Sequence, residues 1–224
     1  MRERNLNSKT FETTWDALPL TLPVFPLPGA LLLPGTQLPL NIFEPRYLNM
    51  VTDALGAGRL IGMIQPETDA ASADAPALCR VGCAGRITSF SETDDGRMVI
   101  VLLGVCRFAV EEELATTRGY RRVVADWSDF SADFTVGVED FQRAPFMRLL
   151  RAYFRVKKLS ADWQALEQLD SWRLINVLAT SLPFERVDRQ GLLEASTATE
   201  RGRLLAALLE MALAQRRNVT EIRH

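Results

Sequence analysis

The 224-residue sequence predicts an α+β fold in which a mixed, partly closed β-barrel or folded sheet is followed by a helical bundle. Up to Asp129 the apolar residues form short strand-like runs, whereas beyond it they recur every three to four residues, as in amphipathic helices. The composition is 47% hydrophobic and 24% charged, which supplies a packed core. We therefore predict a flexible leader at residues 1–17, a β-rich lobe at 18–128 and a helical lobe at 129–224.

The β-rich lobe begins at residues 18–40, where repeated prolines exclude a helix and favour short edge strands and turns. Pro45 suits the first position of a helix, and Glu44 complements the positive end of the helix dipole. The rest of the lobe then reads as a buried strand at 60–65, an exposed mobile loop at 66–77, a hairpin with Asp95 and Gly96 in its turn, and a strand at 120–127. The total is about six strands and one helix.

Three amphipathic helices are predicted in the helical lobe. Two of them are indicated by apolar residues at helical spacing, namely Phe146, Leu149, Leu150, Tyr153 and Phe154 in the first and Leu174, Ile175, Leu178 and Leu182 in the second. The last helix, at about 197–215, begins with Thr197 and Glu200 in capping-box register. We expect this helix to dock on the bundle through one apolar face made by Leu204, Leu205, Leu208 and Leu209.

Charge and cysteine usage restrict the possible partners and the compartment. With 26 basic and 28 acidic residues the net charge is −2, which disfavours binding to nucleic acid or anionic lipid. The N-terminus lacks the apolar core of a signal peptide, and no apolar run is long enough to span a bilayer. Three cysteines in apolar, strand-like sequence suit a reducing compartment. We expect a cytoplasmic protein with free, buried thiols.

The sequence offers no set of residues that predicts catalysis, a metal or a cofactor. The only histidine is the terminal His224, so a catalytic triad would depend on a frayed chain end. Cys79, Cys83 and Cys106 could nominally join His224 around zinc, but the paired Cys-x-x-Cys pattern of structural zinc sites is missing. Packing of the cysteines within buried strands is the favoured interpretation.

Several stretches resemble the N-terminal, substrate-recognition domain of Lon proteases. They are LPVFPLPGALLLPGTQLPLNIFEPRY at 22–47, GMIQ at 62–65, LLGVCRF at 102–108, and QGLLEA at 190–195 with a Glu-Arg pair downstream. The resemblance implies a twisted β pseudo-barrel, similar to PUA-type domains, followed by a helical bundle. It also implies a module that engages unfolded or exposed hydrophobic polypeptide segments, with a protease or chaperone as a further expected partner.

The catalytic domains of Lon proteases have no counterpart in this sequence. None of the three lysines, Lys9, Lys157 and Lys158, lies in a glycine-rich phosphate-binding loop or in a plausible serine-lysine dyad. Together with the missing catalytic motifs, the resemblance implies a non-catalytic polypeptide-binding module, an adaptor or regulator in protein quality control. An RNA-binding role is the alternative, suggested only by the analogy to PUA-type folds and disfavoured by the balanced charge.

We predict a peptide-binding groove beside residues 25–34, flanked by the helix that begins near Glu44. The apolar, proline-rich side chains would form its wall, and the loop at 67–75 could close over the ligand. The alternative is that these residues only close the barrel, with Glu44 at the helix start and Arg46 paired to a nearby acid or carbonyl. The predicted contact residues are Phe25, Leu27, Pro28, Leu33, Pro34, Phe43, Glu44, Arg46 and Tyr47.

The missing catalytic motifs lead to a first testable prediction. Purified protein incubated with ATP, magnesium and casein should release neither phosphate nor peptides. Turnover that persists through purification and is abolished by mutating a residue of this chain would contradict the prediction.

Overall fold

The computed structural model describes residues 13–67, 76–115, 118–135, 137–138 and 141–221, with side chains up to residue 215. Most of the predicted leader and of the loop at 66–77 lies outside the described residues, as does His224. At the end of the predicted leader, Trp15–Ala17 forms a 3₁₀ turn. The proposed boundaries at 17/18 and 128/129 stay predictions.

In the described part of the chain, six strands form one sheet that closes on itself. They are β1 (Thr21–Pro26), β2 (Gln37–Ile42), β3 (Leu60–Ile64), β4 (Val81–Glu92), β5 (Met98–Leu114) and β6 (Arg121–Asp126). The order is β2-β5-β4-β3-β1-β6, and β6 also pairs with β5. Five strands therefore form a closed barrel, while β2 is attached to β5 alone. The pairing of β1 with β3 is parallel and the other pairings are antiparallel.

The prediction of edge strands at residues 18–40 is right for β2 and wrong for β1. Strand β1 pairs with β6 through residues 21–24 and with β3 through residues 24–26, so only Val24 has a strand on both sides. Pro23 lies opposite β6 alone, and Pro26 lies opposite β3 alone. The two prolines are tolerated in this interior strand because each of them faces a partner strand on one side only.

A tight loop between β1 and β2 inserts three leucines into the core. Leu31, Leu32 and Leu33 are each at most 4% exposed. The loop is held against β5 because the backbone N–H of Gly35 donates to the carbonyl oxygen of Gly104 at 2.9 Å. A Cβ atom at Gly104 would lie 2.0 Å from the carbonyl oxygen of Leu33, so only glycine permits this approach.

Six α-helices are described: α1 (Pro45–Gly56), α2 (Arg143–Lys157), α3 (Trp163–Gln168), α4 (Ser171–Ser181), α5 (Arg186–Glu194) and α6 (Ala198–Glu221). Pro45 begins α1, and the three helices predicted after Asp129 correspond to α2, α4 and α6. Helices α3 and α5 were not predicted, because they are short and bury few apolar residues. A 3₁₀ helix, Ser128–Phe134, links the barrel to the helices.

The barrel and the helices share one hydrophobic core. Residues from β4, β5 and the leucine loop pack in the same cluster as residues from α2, α4 and α6, including Leu33, Ile87, Leu102, Leu150, Leu174, Leu205 and Leu209. A second cluster fills the barrel around Phe108. A Cβ atom at Gly62 or Gly82 would come within 2.8 Å of the Phe108 ring, so both glycines make room for it. Folding of the two lobes is therefore coupled through shared packing.

A buried ion pair joins the barrel to the helical lobe. Arg107 of β5 is 1% exposed, and its Nη2 lies 2.8 Å from Oδ1 of Asp133 in the 3₁₀ helix. The Arg107 backbone N–H donates to the same carboxylate at 2.9 Å, and Nη1 donates to the carbonyl oxygens of Leu193 and Ala195 at the end of α5. The guanidinium also lies over the Phe130 ring. One side chain thus connects three segments that are distant in sequence.

The docking of α6 leads to a stability prediction. Leu205 and Leu209 are fully buried, and Leu204 and Leu208 pack partly buried against the same core. Leu209→Ala should lower the free energy of unfolding by about 2–5 kcal/mol, because it leaves a cavity. Met211 of the same helix is 58% exposed, so Met211→Ala is the control and should change the free energy of unfolding by less than about 0.5 kcal/mol. Equal denaturation midpoints for the two variants would contradict this docking.

The buried ion pair leads to a second stability prediction. Asp133→Asn removes the negative charge that compensates Arg107, and should cost about 3–5 kcal/mol because an uncompensated charge is left buried. Asp129→Asn changes an exposed carboxylate in the same 3₁₀ helix and is the matched control. Urea denaturation of both variants would measure the difference. A loss of less than about 1 kcal/mol for Asp133→Asn would show that the pair does not hold the lobes together.

Candidate functional site

The structure divides the predicted contact residues by burial. The exposed residues are Pro28, Phe43 and Arg46; Leu27 and Glu44 are half-buried; and Phe25, Leu33, Pro34 and Tyr47 are buried. Leu33 is 0% exposed and belongs to the core shared by the two lobes. In this conformation the four buried members are not accessible to a ligand, whereas the exposed and half-buried members are.

Arg46, Tyr47 and Phe25 form a stack at the start of α1. The Arg46 guanidinium lies 4.7 Å from the centroid of the Tyr47 ring, which lies 4.1 Å from the Phe25 ring. Burial raises the pKa of Tyr47, with Arg46 acting in the opposite direction. Glu44 makes no capping hydrogen bond and instead pairs with Arg46 at 2.7 Å. The predicted pairing of Arg46 with a nearby acid is therefore observed.

The most exposed apolar side chain of this region is Phe43, directly after β2. It is 62% exposed, and the Arg97 guanidinium lies 6.0 Å from its ring centroid. Val99 of β5, which is 42% exposed, lies opposite Asn41 of β2. Because side chains alternate along a strand, Phe43 lies on the same face as Asn41 and therefore on the same face as Val99. Within the described residues, the other edge of β2 pairs with no strand. We call Phe43, Val99 and this open edge the Phe43 surface.

A second candidate is a cavity of about 440 Å³ where the 3₁₀ helix meets the start of α6. It is lined by Arg107, Ala132, Asp133, Thr135, Gly137, Trp172, Ser196, Thr197, Ala198, Thr199, Arg201 and Arg203. Arg107 and Arg201 are each 1% exposed, whereas Arg203 is exposed at the rim. We call this site the basic cavity.

Hydrogen bonds fix Arg201 at the wall of the basic cavity. Its Nε donates to the carbonyl oxygen of Leu192 at 2.8 Å, and its Nη1 donates to Oδ1 of Asn176 at 2.9 Å. Asn176 in turn donates to the carbonyl oxygen of Pro34 at 3.1 Å. Burial and, to a lesser extent, the charge of Arg107 lower the pKa of Arg201 to about 10, while Asp133 acts in the opposite direction. At neutral pH the guanidinium is therefore still charged.

Sequence reasoning missed Arg107 and Arg201 as structural or functional residues. Arg107 is the lone charged residue within GVCRFAV, an otherwise apolar strand. This pattern could have indicated a buried ion pair, because a charge in a buried strand must find a partner. The sequence gives less indication that Arg201 is buried. It follows the capping residues of α6, a helix with several other arginines, so it does not stand out from them. Its partners come from α4 and α5 and are set by the tertiary structure.

The cysteines have the environment of packed thiols. All three are free; Cys83 and Cys106 are buried on the neighbouring strands β4 and β5, and Cys79 is half-buried before β4. Burial raises the pKa of each thiol. Among the described residues, no three His, Cys, Asp or Glu side chains come together as a metal site requires. A bilayer-spanning helix is absent from the described part of the chain.

The model of the ATP-dependent protease La (LON) substrate-binding domain matches residues 21–211. A Lon protease of Flavobacterium johnsoniae is 23% identical over 195 residues, and Lon protease 2 of Herpetosiphon aurantiacus is 27% identical over 215 residues. The alignments cover 83% and 93% of this chain, but only 23% and 25% of those proteins.

Two solved structures have the same fold. The Lon N-terminal domain protein from Xanthomonas campestris is 26% identical, with a TM-score of 0.60, and the match covers 84% of this chain and 97% of that one. The N-terminal domain of the Mycobacterium avium complex Lon protease is 16% identical, with a TM-score of 0.62, over 85% and 98% of the two chains. With its closed barrel, its helical lobe and a family match over residues 21–211, the chain belongs to the LON substrate-binding domain family.

Proposed function

We propose that this chain binds unfolded or exposed apolar segments of other polypeptides without catalysing their turnover. The observation that carries the proposal is the match of residues 21–211 to the LON substrate-binding domain. The matched relatives are Lon proteases, and the alignments cover about a quarter of their length. In such a protein, residues corresponding to 21–211 of this chain would supply the binding of substrate.

The Phe43 surface is the proposed contact site. An extended segment can add a strand to the open edge of β2, where main-chain hydrogen bonds give affinity and apolar side chains give selectivity. Phe43 and Val99 offer an apolar face beside that edge. Pro28 and Arg46 are the other predicted residues exposed enough to contact a ligand, while Leu33, Pro34, Phe25 and Tyr47 are buried.

The wider role we propose is that of an adaptor or regulator in protein quality control, acting with a protease or chaperone in the cytoplasm. Three unpaired cysteines suit a reducing compartment. Lys157 ends α2 and Lys158 follows it, and both are exposed, which does not suit a catalytic lysine. No observation favours the RNA-binding alternative over this one.

Binding to the Phe43 surface can be tested with labelled casein, an unfolded polypeptide. A single extended segment in a shallow site should bind with a dissociation constant of roughly 1–100 μM. Phe43→Ser should weaken binding about tenfold or more, because burying a phenylalanine is worth about 1.5–3 kcal/mol. Fluorescence anisotropy gives the affinity, and thermal melting should be unchanged because the side chain is mostly exposed.

The matched control is Val187→Ser, which removes an apolar side chain that is 71% exposed on α5 of the helical lobe. It should leave the affinity for casein unchanged. If both variants bind casein as tightly as the unmodified protein, the Phe43 surface is not the binding site. If the unmodified protein itself does not bind casein, the proposed function fails.

A further inference from the structure

The basic cavity contains a buried charge that the described residues do not balance. Asp133 and Arg107 pair closely, since the two carboxylate oxygens of Asp133 accept from the backbone N–H, Nε and Nη2 of Arg107. Arg201 is equally buried, but its Nε and Nη1 donate to a carbonyl oxygen and an amide oxygen. Among the described lining residues, two guanidinium groups are therefore buried beside one buried carboxylate.

Arg201 also retains an unused donor. Its Nη2 is buried and has no hydrogen-bond partner among the described residues, although the side chain lines the cavity. A buried donor without a partner is costly, and the cost is larger when the donor carries a charge. Arg203 adds a further positive charge at the rim. An anionic group in the cavity would satisfy the donor and balance the charge.

The other groups at this end of α6 add little negative charge to the cavity. Thr197 Oγ1 accepts from the backbone N–H of Glu200, and the Glu200 carboxylate accepts from the backbone N–H of Ser196. Glu200 is exposed and does not line the cavity. The carboxylate of Asp133 is already engaged by Arg107. Among the described residues that line the cavity, the net charge is therefore positive.

The shape and lining of the cavity indicate which kind of anion it suits. Its volume of about 440 Å³ lies within the roughly 300–1,000 Å³ of small-ligand sites. Apolar walls from Trp172, Ala132 and Ala198 lie beside the guanidinium groups, and Thr197 lines the same cavity. The Ser196 hydroxyl is already engaged, because it donates to the Glu200 carboxylate. An occupant with a carboxylate next to an apolar side chain fits this lining better than a fully polar anion does.

We propose that the basic cavity binds the C-terminal carboxylate of a polypeptide whose last residue is apolar. A chain end can enter a recessed site end-on, whereas an internal segment would have to bury backbone groups on both sides of its carboxylate. Charge-assisted hydrogen bonds from arginine to a carboxylate are the strong class of hydrogen bond. The proposal rests on the polypeptide-binding function, but it assigns a second site, separate from the Phe43 surface, and a ligand class.

The test compares two peptides that differ only at the C-terminus: N-acetyl-Ala-Ala-Ala-Leu-Leu with a free carboxylate, and the same peptide as the amide. Calorimetric titration into the full chain should show the acid binding about tenfold or more tightly than the amide. Nuclear magnetic resonance should show that the acid shifts the Nε–H signals of Arg107 and Arg201. Equal affinities, or shifts confined to other residues, would overturn the proposal.

Variants of the cavity give an independent readout. Arg203→Gln changes an exposed side chain at the rim and should weaken the acid peptide about two- to fivefold. Arg155→Gln removes an exposed arginine of α2 that does not line the cavity, and it should have no effect. Arg201→Met should abolish the preference for acid over amide, provided that melting shows a folded protein. An unchanged preference in a folded Arg201→Met variant would overturn the proposal.

Inorganic phosphate serves as the competing anion. If phosphate binds as tightly as the acid peptide, the cavity is a general anion site and the assignment to a chain end is overturned. Casein binding through the Phe43 surface is measured in parallel. Casein binding without acid preference rejects only the cavity proposal, whereas acid preference without casein binding rejects the proposed function of the Phe43 surface.

Discussion

The fold depends on how the charge of Arg107 is compensated inside the protein. A guanidinium in an otherwise apolar strand is costly to bury unless its donors are satisfied. Asp133 supplies the charge, and the carbonyl groups at the end of α5 accept the remaining hydrogen bonds. This requirement fixes the 3₁₀ helix and the α5–α6 junction against the barrel. The start of α6, and with it the basic cavity, is positioned as a consequence.

Close packing around glycine makes the two lobes interdependent. The leucine loop can reach the shared core only because Gly104 carries no side chain and Gly35 adopts a positive φ of 75° under the Trp172 ring. Asn176 of α4 then binds the carbonyl oxygen of Pro34 in the same loop, and it also accepts from Arg201. The proline-rich segment is therefore held by barrel and helices together, which accounts for the burial of Leu33 and Pro34.

These constraints leave two places with different recognition chemistry. The Phe43 surface combines an open strand edge with exposed apolar side chains, so it suits an extended segment of almost any sequence. The basic cavity is recessed and carries positive charge beside apolar walls, so it suits a chain end. A module with both sites would recognise a polypeptide by its unfolded character and by its terminus.

Elements with local signals could be predicted from the sequence. Short strand-like apolar runs and apolar residues at helical spacing predicted the strands and three helices of the helical lobe, Pro45 marked the start of α1, and Asp95-Gly96 marked the hairpin. The motifs between residues 22 and 195 indicated the LON substrate-binding domain family. The interior position of β1, the burial of Leu33 and Tyr47, and the meeting of Arg107 and Arg201 at one cavity depend on long-range packing. Arg107 and the carbonyl of Leu193 are 86 residues apart, and such long-range contacts are set by barrel closure and lobe packing, which leave no periodic signal in the chain.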